Sequence, residues 1–565
     1  MAGQWTWRRG LGRALVLAGL LAAGGAAAAT HYVAPTGSKD GDGTRAQPYS
    51  LTHVLNALKL APGDEVVLLD GVYALGSAGV TISSIGTYEK PISYRAEHRH
   101  QAILDGSVLL DGWAPAPGLE GVWQRRVDKV PARLLVNGDG LVPTTSTWRR
   151  DGKETLDEGM FASEAAPADA PAKDELAGKP PPGKFLLLIR PWARQAPKEA
   201  FATETTVLNV SGAFNIVDGL LLRRGGTGVR VGGTQVHAYK PVGIYQELSG
   251  LANNAFGSFN IVRNCIIRDM VGQGMTSNES RFNLIEDNVI YNAGMGQGDH
   301  GIYISQGAEN LTLRRNVWWR TSGGAIHIYS GTGVDSPRDI VVEYNIFGPD
   351  KRNRCFPLAN RKSCALYIWG GYRYAGGNRI THNLILGPYD RAISLHKCSG
   401  NVVAYNVFLG SDGATLQFGT TMGNVVANNI IEYGPGAAAA PGAMEIPAGY
   451  VSFLDEALGG LSLFRNNVYL PRGAEGKALP AWEPTGRVAA AELFVDRAKF
   501  DLRPRAGGEA VDAGVALPIP GPKAAGAAPD AGALEADEEI YGEKGRFPTI
   551  PQWLLDEWPQ SKRGQ

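Results

Sequence analysis

The chain has 565 residues, and its 55 Lys and Arg balance 55 Asp and Glu, so the formal net charge is zero. That neutrality argues against nucleic acid as a partner, because nucleic-acid-binding domains carry an excess of basic residues. With 74 glycines and only 19% charged residues, the composition suits a turn-rich β protein, built as several domains or as one elongated repeat.

In chain order, residues 1–29 come first. Arg8, Arg9 and Arg13 precede an apolar run from Ala14 to Ala29, and the small residues Ala27 to Ala29 suit a signal peptidase. A positive region, an apolar core and a small-residue end make a secretory signal, so secretion or export to the periplasm is expected. No later segment is long and apolar enough to span a bilayer, and no membrane partner is expected after cleavage.

Residues 30–111 read as an N-terminal cap with the first coils of a repeat. "SLTHVLNALKLAPGDEVVLLDGVY" predicts an amphipathic helix, a Pro-Gly turn and a strand. A helix there would cover the strand edges of an open first coil. Between residues 112 and 206 the repeat is lost. "GVWQRRV" and "RLLVNGDGLVP" look like strands of an inserted β-module, and "ASEAAPADAPAKDELAGKPPPGK" has the composition of an exposed loop.

From residue 207 to 475 one pattern recurs: an apolar residue, two variable residues, Asn, then apolar residues. It appears in "IVRNCII", "IEDNVI", "LRRNVWW", "VEYNIF", "ITHNLIL", "VAYNVFL", "VANNII" and "FRNNVYL". The asparagines are Asn264, Asn288, Asn316, Asn345, Asn383, Asn406, Asn429 and Asn467, with spacings by subtraction of 24, 28, 29, 38, 23, 23 and 38. A floor near 23 with additions is what a coil of constant circumference with inserted loops would show. A further short strand precedes each Asn run, as in "GIYIS", "AIHIYS", "ALYIW", "AISLHK" and "ATLQF". Three short strands per coil, wound many times, predict an all-β parallel β-helix. Asn suits the corner because it tolerates the left-handed backbone region, and stacked Asn side chains can form a hydrogen-bonded ladder.

The start, "YVAPTGSKDGDGTRAQPYS" with the helix and strand after it, resembles that of secreted right-handed parallel β-helix proteins of the pectate-lyase-like fold. The tail, "FDLRPRAGGEAVDAG" followed by "PDAGALE" within residues 476–565, resembles their end. The resemblance covers most of residues 30–535 and implies a pectin-lyase-like solenoid acting on glycans, as a polysaccharide lyase, hydrolase or epimerase, or as an adhesin.

Coils stack about 4.8 Å apart, so equivalent residues form columns. With Ile302 and Ile304 inward, one outward column holds Thr276, Tyr303, His327, Tyr367, Ser394 and Gln417. Its neighbour holds Asn278, Ser305, Tyr329, Trp369, His396 and Gly419. The chain has only nine histidines, yet His300, His327 and His396 gather on this face among tyrosines and a tryptophan. Aromatic rings can stack on sugars, and His and Tyr can exchange protons. His382, on another sheet, reads as structural.

An insertion before "CALYIWGG" adds Lys351, Arg352, Arg354, Arg361, Lys362 and Arg373, and Arg391 and Lys397 flank the next strand. Such a basic patch beside a groove favours an anionic substrate. Export permits a disulfide, for which Cys355 and Cys364 are the candidates, while Cys265 and Cys398 read as buried thiols.

The combined expectation is β-elimination in a uronate-containing polysaccharide. His327 and Tyr303 would be the proton-transfer pair, and His396, Arg391 and Lys397 would hold the carboxylate. Arg361, Tyr329, Tyr367 and Trp369 would line the substrate. Asp299 would accept a hydrogen bond from His300, making both part of the site, or else bond backbone at a turn. Calcium-dependent pectate lyases gather several Asp on the groove strands, whereas only Asp299 stands here. No metal or other cofactor is therefore expected, and calcium has little support. Hydrolysis would need two carboxyl groups, for which Asp299 and Glu247 are the candidates. A uronate C5-epimerase shares the first proton abstraction, and a non-catalytic sugar-binding protein could use the same aromatic face. A monomer is expected.

Overall fold

The computed structural model describes residues 28–143, 156–165, 184–203, 205–232, 257–295, 298–330, 336–350, 363–370, 375–436, 448–454, 461–490, 493–520, 526–542 and 545–557. Most of the expected signal segment, and the candidates Glu247, Arg361 and Cys355, lie outside the described residues.

Three parallel sheets wind around one core. Two have 12 strands and the third has 10, and each coil contributes one strand to each sheet. One coil runs from Met275–Asn278 in the third sheet to Leu284–Glu286 in the first and Val289–Ala293 in the second. It then returns to the third sheet as Ile302–Ser305. Strands this short follow from the pattern, because each corner interrupts the period-two run after a few residues. The inward residues stack as expected. Ile302, Ile304, Ile326, Ile328, Leu366, Ile368, Ile393, Leu395, Leu416 and Phe418 are all buried in one continuous core.

The asparagine ladder forms at the corner between the first and second sheets. Asn383, Asn406 and Asn429 stack in one column: the Asn383 amide donates to Asn406 Oδ1 at 2.9 Å, and the Asn406 amide to Asn429 Oδ1 at 2.9 Å. Each Nδ2 also donates to the next Asn Oδ1 and to a carbonyl one coil back, as Asn406 does to Asn429 and Ile380. The ladder extends from Asn288 through Asn316 and Asn345 to Asn467. Glu483 terminates it, accepting from the Asn467 amide at 2.7 Å, from Asn467 Nδ2 at 2.9 Å and from the Tyr469 hydroxyl.

Two details of the expected ladder are corrected. Asn264 is not a rung, because the column position belongs to Cys265, whose amide donates to Asn288 Oδ1. Nor do the ladder asparagines adopt the left-handed conformation. The residue before each rung does, with φ of 53° at Asp287, 56° at Arg315, 55° at Tyr344, 56° at His382 and 55° at Tyr405. The rung needs its carboxamide for hydrogen bonds, so the backbone turn falls to its neighbour, whatever its type. A second ladder went unread in the sequence. Asn215, Asn260 and Asn283 link in turn at the corner between the third and first sheets, as do Asn378, Asn401 and Asn424 further along. Apolar Leu311 and Ile340 occupy the coils between, which hid the pattern.

The helix near the N-terminus is only six residues, Leu51–Asn56. Ser50 Oγ caps it by accepting from the His53 amide, and Leu51 and Val54 are buried. An eight-stranded, largely antiparallel sheet interrupts the winding between Val108 and Ala202. It docks through Leu135 and Phe201 against Val271 and Met295, at the corner between the second and third sheets. Cys364 carries a free, buried thiol, as do Cys265 and Cys398. The expected bond to Cys355 is therefore not made.

Asn406→Ala would leave the buried Asn383 amide without its ladder acceptor and take one donor from the Asn429 side chain, while Asn383 Nδ2 keeps the Val342 and Thr381 carbonyls. It should lower unfolding stability by about 3 kcal/mol, measured by chemical denaturation.

Candidate functional site

The outer face of the third sheet carries the two expected columns in register. Thr276 pairs with Tyr303, Tyr303 with His327, His327 with Tyr367, Tyr367 with Ser394, and Ser394 with Gln417. Beside them, Ser305, Tyr329, Trp369, His396 and Gly419 follow one another. The strands are β-branched and aromatic and alternate cleanly, so neighbouring coils hold the same parity and the columns stay true.

At the centre, His327 Nδ1 lies 2.9 Å from His300 Nε2. The His327 ring stacks on Tyr367 at 4.8 Å, and Tyr303 meets it edge-on at 5.3 Å. His300 is buried at 4% exposure, and its ring lies parallel to that of Tyr303 at 5.8 Å. Burial lowers the His300 pKa to about 3, and burial together with His300 pushes His327 well below the ordinary histidine value. Both rings are therefore neutral at working pH. Burial also raises the phenols of Tyr303 and Tyr367, so both keep their protons. His327 Nε2 and His300 Nδ1 have no hydrogen-bond partner. The pair can hold its shared proton on either side of the 2.9 Å contact. With the proton on His327 Nδ1, His327 Nε2 carries a lone pair.

The expected Asp299–His300 hydrogen bond does not form. Asp299 Oδ2 accepts from the Met295 amide at 3.0 Å, and its Oδ1 faces Arg133 Nη1 at 3.7 Å. The carboxylate thus braces the bend before the strand, while the His300 ring packs against Tyr303 and His327 and its amide donates to Gln273 Oε1 at 2.7 Å. Arg133 was missed by the sequence reading. It comes from the inserted sheet, donates to the Val271 carbonyl at 2.8 Å, and lies over Gly272, where a Cβ would stand 2.4 Å from Nη1. No local pattern signals a contact made across so long a stretch of chain.

Further along the face, His396 Nε2 lies 3.3 Å from Gln417 Oε1, which also accepts from Ser394 Oγ at 3.1 Å. The His396 ring leans over Gly419, where a Cβ would meet Nδ1 at 2.4 Å, so only glycine fits there. Burial lowers the His396 pKa, and Arg391 and Lys397 lower it further against the opposing Gln417 contact. Trp369 is 37% exposed, with Lys397 Nζ 6.0 Å from its ring centroid. Arg391 departs from expectation. It is only 6% exposed, at the start of its strand beside Cys364. Its charge still acts on Tyr367 and His396 of the outer face. His382 is structural, stacked between Tyr344 at 4.8 Å and Tyr405 at 5.0 Å.

Among the described residues, Asp70, Glu97 and His98 form the one group spaced to hold a metal ion. It lies on other sheets, Asp70 already hydrogen-bonds His98 Nδ1 at 3.1 Å, and Glu97 pairs with Arg45.

Residues 207–347 match the family described as the right handed beta helix region. This is a right-handed parallel β-helix protein. No curated protein matches the sequence. Among solved structures it is similar to XylC in complex with xylose, at 13% identity over 81% of this chain and 86% of that one, with a TM-score of 0.46. It is also similar to pectate lyase Pel9A, at 15% identity over 90% and 96%, TM-score 0.42. An alginate lyase from Paenibacillus sp. str. FPU-7 aligns at 13% identity over 82% and 96%, TM-score 0.34.

The buried neutral histidines make acid stability predictable. The unfolded chain takes up a proton at each ring near pH 6.5, whereas His300 and His382 resist protonation in the fold until about pH 3. Stability should therefore fall as pH drops from 6.5 toward 3, seen as a declining melting temperature. A His382→Phe variant, which keeps the ring stack, should lose part of that decline.

Proposed function

We propose that the protein is an exported enzyme that cleaves a uronate-containing polysaccharide by β-elimination, acting as a monomer. The observation that carries this reading is the His300–His327 contact at 2.9 Å beside Tyr303, set within a half-buried aromatic face. The basic, apolar and small-residue order of residues 1–29 supports export.

In this mechanism His327 is the base. β-Elimination removes the proton next to the sugar carboxylate, which calls for a neutral imidazole with a free lone pair. Burial keeps His327 neutral, and its unpartnered Nε2 is the acceptor. His300 stays neutral and holds the His327 ring through Nδ1, acting as a positioning residue. Tyr303 holds its proton and donates it to the leaving glycosidic oxygen, so acid and base stand one coil apart in one column. Tyr329, Tyr367 and Trp369 offer sugar-stacking surface, and His396, held by Gln417, hydrogen-bonds the bound chain. Lys397 and Arg133 are the cations placed to offset the substrate carboxylate, the role for which Arg391 is too buried. Asp299 supports the site by fixing the bend and Arg133.

Incubation with galacturonate, guluronate, mannuronate and glucuronate polymers should release unsaturated ends, detected by ultraviolet absorbance, from at least one of them. Against that polymer, His327→Ala and Tyr303→Phe should each lower kcat by about 100-fold or more while leaving the fold intact. Shortening without unsaturation would instead indicate hydrolysis, and retention without shortening a binding protein.

A further inference from the structure

The outward column that holds Tyr303 and His327 continues toward the N-terminus beyond Thr276. Register places Arg230 beside Thr276, and Asn209 beside Arg230. Arg230 is the only residue of the column from Asn209 to Gln417 that carries a fixed positive charge. Its Nε is buried and has no hydrogen-bond partner, and among the described residues no carboxylate pairs with it. Its column neighbours share this condition. Asn209 Oδ1 and Thr276 Oγ1 are buried and unpartnered, and Thr276 is only 8% exposed.

Three consecutive coils thus present unsatisfied polar groups on one line of the same face. Arg95, Arg263 and Arg314, on the first sheet, differ: each pairs with a carboxylate at 2.6–2.8 Å. The buried Arg230 Nε lacks an acceptor, which is costly, and so is a buried hydroxyl or carboxamide without a partner. An incoming carboxylate satisfies the first, and sugar hydroxyls satisfy the others.

We propose that Arg230, Thr276 and Asn209 form an anion-binding subsite for a sugar carboxylate. This rests on reading the aromatic face as a glycan groove. Arg230 lies two coils from Tyr303, about 10 Å along the groove. A carboxylate bound there belongs to a different sugar unit from the one at His327. The preferred substrate is therefore a run of consecutive uronates, not an isolated uronate in a neutral chain.

Calorimetric titration of the full chain with hexamers of galacturonate, guluronate and mannuronate, and with the neutral xylohexaose, tests this. At least one uronate hexamer should bind more tightly than xylohexaose. Arg230→Met should weaken its binding about tenfold or more and flatten its salt dependence, with xylohexaose unchanged. Arg230→Lys, which keeps the charge, should retain more uronate binding than Arg230→Met at an equal melting temperature. If Arg230→Met binds the uronate like the wild type while Tyr329→Ala loses it, the subsite is wrong and the groove stands. If no uronate hexamer binds the wild type, the subsite and the uronate reading both fall.

Discussion

The structure depends on a single repeated hydrogen-bonding event: a buried asparagine reading the coil above and the coil below. Each rung accepts a neighbour's backbone amide and donates its own Nδ2, as Asn383 accepts from the Asn345 amide and donates to Asn406 Oδ1 and the Val342 and Thr381 carbonyls. Buried carboxamides tolerate no slip of one residue, because a shifted rung would leave both donors and acceptors unpaired. The ladder therefore fixes the phase of every coil. Loops can lengthen between rungs, as the 38-residue spacings from Asn345 to Asn383 and from Asn429 to Asn467 show, without disturbing the columns. Glu483 closes the ladder because the last rung needs an acceptor and the next coil supplies none.

Phase control makes the site possible. Tyr303, His327, Tyr367 and Ser394 come from separate coils and have no local reason to meet, yet parity and phase place them on one line. The same tight stacking excludes water from the bases of the rings. Desolvation, not a nearby charge, is the first cause of the depressed histidine values at the centre. The site works with neutral groups, and its charges stand at the edges, on Arg133 and Asp299 at one corner and Lys397 at another.

What could be read from the sequence follows from this division. The inward and outward columns were legible residue by residue, since period two and a constant phase leave no freedom. The asparagine corner was legible as a ladder, but Asn264 was misread as a rung because adjacent Asn and Cys fit the same local pattern. The charge of Arg391 suggested an exposed side chain, whereas it is 6% exposed at the start of its strand. The Asp299 and His300 pair was read as a hydrogen bond because the two are adjacent, although adjacent residues in extended chain point apart. Arg133 was illegible, since only the docking of Leu135 and Phe201 on Val271 and Met295 brings it near.

The three outer faces of the solenoid have different chemistry. The first sheet presents paired charges such as Arg95 with Glu65, Arg263 with Asp218 and Arg314 with Glu286, which suit plain solvent. The second presents Val317, Trp319, Ile346, Leu384, Val407 and Ile430, an apolar strip that the C-terminal segment covers with Phe494, Leu502, Phe547 and Leu554. That segment is tied down at its end, where Tyr291 donates to Glu557 at 2.6 Å and Arg320 to Glu557 at 3.3 Å. The third face has neither solution. Its histidines, tyrosines and Trp369 are too apolar for a merely solvated surface, and no described segment lies over Trp369, which remains 37% exposed. Aromatic area kept open on one face, while the chain covers the apolar strip of another, is what a surface awaiting a ligand requires. The ladder sets the phase, the tail takes the apolar face, and the face left over keeps Trp369 open beside its histidines and tyrosines.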